Sequence, residues 1–161
     1  MVDQPVRCRR SHVIASLTNS LLPICSLQAW YRPDLFRRVL SYSGTFVNQQ
    51  YPFDPRTPRG CWEYHGDDGI IARSPKRPIR VCLVNTERDI GWHLPESTWH
   101  NWPLANTRMA TSLKQKGYEC RHIFCRDANH VDYRAVRQTL PAALEWLFRG
   151  YGQRRGATAT P

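Results

Sequence analysis

PIRVCLVNTERD, residues 78–89, is a short apolar run that turns polar toward its carboxyl end and stops on an aspartate, Asp89. Such a run predicts a buried strand. Upstream, RRVLSYSGTF (37–46) predicts another buried strand, ending at Gly44. Downstream, NWPLANTRMATSLKQK (101–116) carries Leu104, Met109 and Leu113 at amphipathic helical spacing, and Gly117 suits the helix C-terminus. YECRHIFC (118–125) predicts the next strand. RAVRQTLPAALEWLFRGY (134–151) predicts a final helix, with Val136, Leu140, Leu144 and Leu147 along one face. Pro141 inside that pattern predicts a kink, or a helix that begins there.

The rest of the chain is less regular. Residues 29–37 read as the end of a helix and a turn at Arg32-Pro33-Asp34. Residues 47–77, rich in Pro, Arg, Gly and Asp, read as a long loop, and loops of this length are usually functional or disordered. Residues 1–28 form an atypical N-terminal segment with a poor 3.6 period, broken at Pro23. Residues 152–161 are expected to be a disordered tail. The order helix, strand, long loop, strand, helix, strand, helix argues an α/β protein with a parallel sheet.

In open parallel sheets, functional groups gather at the carboxyl ends of the strands. Asp89 follows one such end. His130, in FCRDANHVDYRAV (124–136), follows the next. A carboxylate that accepts a hydrogen bond from a histidine ring fixes its tautomer and stabilises the imidazolium, which suits the histidine to act as a general base near neutral pH. A turn histidine and a turn aspartate are also ordinary polar surface, so pattern alone leaves both readings open.

Composition narrows the partners. The chain has 161 residues, enough for one domain with a sizeable core, and 41% of them are hydrophobic. Its formal net charge of +10 permits an anionic partner. The basic clusters are short (Arg7-Cys8-Arg9-Arg10, Arg37-Arg38, Lys76-Arg77, Arg154-Arg155) and lack interleaved aromatics, so no nucleic-acid partner is expected. The six cysteines, at 8, 25, 61, 82, 120 and 125, form no Cys-x-x-Cys and no zinc spacing. They read as reduced thiols in a reducing compartment. No apolar run approaches the roughly 20 residues of a membrane span, and no secretory signal is visible, so a cytoplasmic location is expected.

AWYRPDLFRRVLSYSGTFVNQQYPFDPRTPRGCWEYH (29–65) resembles the middle of the enterochelin esterase-like family of α/β hydrolases. VNTERDIGW, WPLANTRMATSLKQKGY, ANHVD and QTLPAALEWLFRGY resemble that family's C-terminal part in the same order, so the likeness runs from Ala29 to Tyr151, roughly three quarters of the chain. It implies an α/β-hydrolase-like, three-layer parallel sheet, incomplete at its N-terminal side, with residues 29–151 as the C-terminal part of the domain. It also implies hydrolysis of a small carboxylic ester through an acyl-serine, with no cofactor and no metal, and with Asp89 as the triad acid and His130 as the base. The family's Gly-x-Ser-x-Gly elbow is absent: SLTNSLLPICSLQ (16–28) stands in its place, and no glycine precedes Gly44. Ser20 falls near the nucleophile position. The alternative is a non-catalytic fragment or binding protein. Which ester, and what oligomeric state, the sequence leaves open.

Other residues carry two readings each. His65 lies near Glu63, Asp67 and Asp68, which is either a metal-binding group or, more simply, a solvated loop cluster. Trp62 and Tyr64 either line the substrate cleft or anchor the loop. Trp92, Trp99 and Trp102 form either an aromatic wall for an acyl group or plain packing. His93, His100 and His122 are expected on the surface or in helix caps.

Overall fold

The computed structural model describes residues 12–16, 24–49 and 53–150. Four strands, β1 (His12–Ser16), β2 (Phe36–Tyr42), β3 (Arg80–Arg88) and β4 (Glu119–Asn129), form one sheet in chain order. Every neighbouring pair is parallel. Among the described residues four α-helices, α1 (Ile24–Tyr31), α2 (Ile70–Arg73), α3 (Trp102–Gln115) and α4 (Tyr133–Phe148), cover it. The architecture is mixed α/β: one parallel sheet between two layers of helices.

Alternation along the strands divides the interior in two. Val39, Val81 and Leu83 point into a core shared with Trp30 of α1, Ile71 of α2 and Trp102, Met109 and Leu113 of α3. Leu40, Tyr42, Cys82 and Val84 point the other way, onto Ala143 and Leu147 of α4. Successive side chains of a strand face opposite sides, so one apolar run serves both layers. Helices α1–α3 therefore share one face. This is the outcome of successive right-handed crossovers stepping across a sheet in one direction.

Local chemistry explains the element ends. Asn101 caps α3, its side-chain oxygen accepting from Leu104 N at 3.0 Å. At the other end Gly117 has φ +78°, Tyr118 N donates to Leu113 O (2.9 Å) and Gly117 N to Lys114 O (2.9 Å). That is a Schellman closure, for which a glycine is suited. Asp132 caps α4 by accepting from Arg134 N at 2.8 Å. The last carbonyls of α4 are served from the sheet: Arg38 Nε donates to Leu147 O (2.9 Å) and Arg80 Nη1 to Arg149 O (2.8 Å).

Three sequence expectations change. Helix α4 does not begin at Pro141; it runs through it from Tyr133. The proline forfeits one backbone bond, and the apolar face carrying Ala143 and Leu147 holds the helix together against the sheet. Strand β4 does not end at Cys125. Thr86 pairs with Cys125 and Arg88 with Asn129, so a bulge extends β4 by four residues. Asp127 carries the bulge at φ +50°, its N–H donating to Glu87 and its carboxylate accepting from Arg88, both at 2.9 Å. Third, the stretch 1–28 holds β1 and the first turn of α1, and the loop 47–77 holds a 3₁₀ turn at Gly60–Tyr64 as well as α2. These short elements lack a periodic pattern of their own and are set by pairing and packing. The expected tail at 152–161 lies outside the described residues.

Candidate active site

The structure brings Asp89 and His130 together. Asp89 directly follows β3 and His130 directly follows the bulged end of β4, and these strands are neighbours. The Nδ1 atom of His130 donates to Oδ1 of Asp89. The Asp89 side chain is fully buried and that of His130 is 18% exposed. Asp89 Oδ1 also accepts from Ile90 N at 2.7 Å. The other ring nitrogen, His130 Nε2, is buried and, like Asp89 Oδ2, has no hydrogen-bond partner among the described residues.

The loop carrying Asp89 is built tightly. Trp92 N donates to Asp89 O (3.1 Å) and Leu94 N to Gly91 O (2.9 Å). Gly91 has φ +64°, and a Cβ there would lie 2.2 Å from His100 O, so only glycine fits the turn. Asn101 Nδ2 pins the loop from the side, donating to Leu94 O at 2.8 Å and Trp92 O at 3.2 Å. The His130 loop leans on the end of β2, where Val131 N donates to Ser43 Oγ at 3.4 Å. Trp102 stands edge-on to His130 with ring centres 6.5 Å apart.

Chemically, such a pair is a proton store. With Nδ1–H committed to a buried carboxylate, Nε2 presents a lone pair, and the carboxylate stabilises the cation formed when Nε2 takes a proton. Ser20 lies outside the described residues, in the sequence between β1 and α1. The four cysteines described with side chains are free and poor nucleophiles. Burial pushes Cys61 up to about 12, and Cys82 and Cys120 up to about 11.

The remaining candidates separate. His65 is not in a solvated cluster; it is buried, with Nε2 donating to Phe46 O at 3.0 Å. Glu63 is turned to Arg59, at 2.7 Å, and among the described residues no group of three or more acidic, His or Cys side chains could hold a metal ion. Trp62 is buried, with Arg108 over its ring at 5.4 Å. Tyr64 lines an apolar cavity of about 40 Å³ between the sheet and α3, and neither Asp89 nor His130 borders it. The three tryptophans form no single wall, since Trp102 is fully buried and Trp92 is 55% exposed. His122 is neither on the surface nor in a cap; it sits half-buried in β4, donating from Nε2 to Asn85 Oδ1, and burial lowers its pKa. His100 Nδ1 donates to Asn48 O at 3.1 Å, and His93 is exposed.

Sequence reasoning passed over Ser43 and Asn106. Asn106 is fully buried in α3, accepts from Gly44 N (3.1 Å) and donates to Gly44 O (2.8 Å). An amide on the buried face of an amphipathic helix was the available signal, because such a group must find partners.

No protein-family model matches the chain, and no curated protein matches it in sequence. Among solved structures it is similar to a Mycobacterium tuberculosis puromycin-hydrolyzing peptidase, with 16% identity and a TM-score of 0.49. That likeness covers 79% of this chain and 20% of the peptidase, so the chain spans a fifth of that protein's length. Among the described residues, no helix is long and apolar enough to cross a membrane.

Proposed function

We propose that this chain hydrolyses a small carboxylic ester, with His130 as general base and acid and Asp89 as its orienting carboxylate, in the manner of the enterochelin esterase-like α/β hydrolases. The observation that carries the proposal is the buried Asp89–His130 hydrogen bond at adjacent strand ends, with Nε2 unpartnered among the described residues. Nε2 takes the hydroxyl proton of the nucleophile, for which Ser20 is the candidate, as its oxygen attacks the ester carbonyl carbon. The tetrahedral adduct collapses, the bond to the alkoxy oxygen breaks, and that oxygen takes the proton from Nε2. Water repeats the sequence on the acyl-serine and releases the acid. Asp89 stays ionised throughout. The reaction draws on side chains alone, and its partner is a small-molecule ester rather than a nucleic acid.

A second reading is favoured by one observation: residues 17–28 contain none of the glycines that the tight Gly-x-Ser-x-Gly turn uses. On that reading the chain binds a ligand and hydrolyses nothing.

Turnover of a chromogenic short-chain ester by wild type, Ser20→Ala, His130→Ala and Asp89→Asn decides between them. The expected result is loss of turnover in the first two variants and a drop on the order of 10³–10⁴-fold in Asp89→Asn, where the ring loses its tautomeric anchor. Loss in His130→Ala but not in Ser20→Ala would move the nucleophile elsewhere. A folded wild type without turnover leaves the binding reading standing.

A further inference from the structure

We infer that Ser43 is a positioning residue for His130, an inference that rests on the reading of His130 as the base. Val131 follows His130 directly and has φ +47°. The left-handed region is uncommon for any side chain and an outlier for a β-branched one, so surrounding structure must hold it there. On one side the hold is the β4 ladder, which pairs Asn129 with Arg88. On the other it is the turn in which Asp132 N donates to Asn129 O at 3.1 Å. Between these the N–H of Val131 donates to Ser43 Oγ at 3.4 Å. That N–H belongs to the peptide plane joining His130 to Val131, so the Ser43 hydroxyl sets the orientation of the backbone from which the imidazole projects.

Ser43 is equipped for this by its own anchoring. It is buried and also left-handed, at φ +48°. Its N–H donates to Val84 O at 2.8 Å, prolonging the β2–β3 ladder by one rung. The next residue, Gly44, is clamped by both ends of the Asn106 amide, and Asn106 belongs to α3. The hydroxyl therefore stands on a corner tied to two strands and one helix, and it reaches across to the loop that carries the base. Two left-handed, non-glycine residues joined by a hydrogen bond beside a buried Asp–His pair are strain retained at a site of function.

The test is Ser43→Ala, with Ser43→Gly as a second variant that also removes the hydroxyl but suits the positive φ at that position, so that folding is favoured. The readouts are the His130 Nδ1–H resonance in histidine-labelled protein, and kcat and KM for a chromogenic ester. Ser43→Ala is expected to move that resonance upfield or to broaden it by faster exchange with water. It is also expected to lower kcat about tenfold while KM stays within about twofold. Ser43→Gly is expected to change the resonance in the same direction, because it too removes the hydroxyl that holds the Val131 N–H. A wild-type resonance and wild-type kcat in folded Ser43→Ala would overturn the inference; if that variant does not fold, an unchanged resonance in Ser43→Gly would do so. A displaced resonance in a protein whose wild type has no turnover would uphold the role of Ser43 and overturn the hydrolase reading.

Discussion

His65 shows what one buried imidazole does to stability. Phe46 O can only accept, so Nε2 carries the proton and Nδ1 faces Arg108 Nε as an acceptor at 3.4 Å. Burial pushes its pKa down to about 4; the charges of Arg108 and Arg59 push the same way, against the Phe46 carbonyl. In the unfolded chain the group titrates near 6.5. As pH falls below about 6.5 the unfolded chain binds the proton first, so stability is full above that pH and is lost progressively toward pH 4. The group contributes at most about 3 kcal/mol to this loss. His122, lowered by its own burial, adds to the same slope. Urea unfolding at pH 7 and pH 4.5 should therefore show a smaller difference for His65→Gln than for wild type. Equal differences, or a His65 pKa measured near 6.5, would contradict the buried neutral tautomer. The sequence neighbourhood Glu63, Asp67, Asp68 gave no hint of this, because the aromatic packing of Trp62 and the Phe46 carbonyl that enclose the ring arrive from tertiary structure.

At the scale of elements, α3 was legible almost to the residue. Its caps are local devices, and local devices are written in adjacent residues: Asn101 before the first turn, Gly117 after the last. The end of β4 was not legible, because the bulge that carries it on to Asn129 depends on Glu87 and Arg88 of the neighbouring strand. The Asn101 side chain also joins α3 to the loop behind the acid, so its removal tests both jobs. Asn101→Ala should cost about 1–2 kcal/mol through the lost cap, and more because the Trp92 and Leu94 carbonyls lose their donor. Asn101→Asp keeps the cap oxygen and should cost less. Chemical denaturation of the two variants measures this, and equal losses would mean that the cap contributes nothing.

For the molecule as a whole, the sheet separates two cores that share strands but not side chains. Val81 belongs to the α3 side and Val84 to the α4 side, three residues or roughly 10 Å apart along β3. Each Val→Ala change removes two methyl groups from a buried position and should cost about 2 kcal/mol. Because the two sites face different layers, the double variant should lose the sum to within about 0.5 kcal/mol. A coupling well above that would show that the layers settle as one unit.

The chain's own residues determined the α/β class, the two long helices and the positions of Asp89 and His130 at strand ends, because apolar periodicity and punctuation by Gly, Pro and caps act over a few neighbours. Tertiary structure alone decided that β3 and β4 are adjacent, that the bulge delivers His130 to Asp89, and that Trp102 and His65 are interior. It also decided that Ser43 meets Val131 across 88 residues of chain. Those facts depend on which surfaces meet once the apolar faces are buried, and no local pattern encodes a contact between residues so far apart.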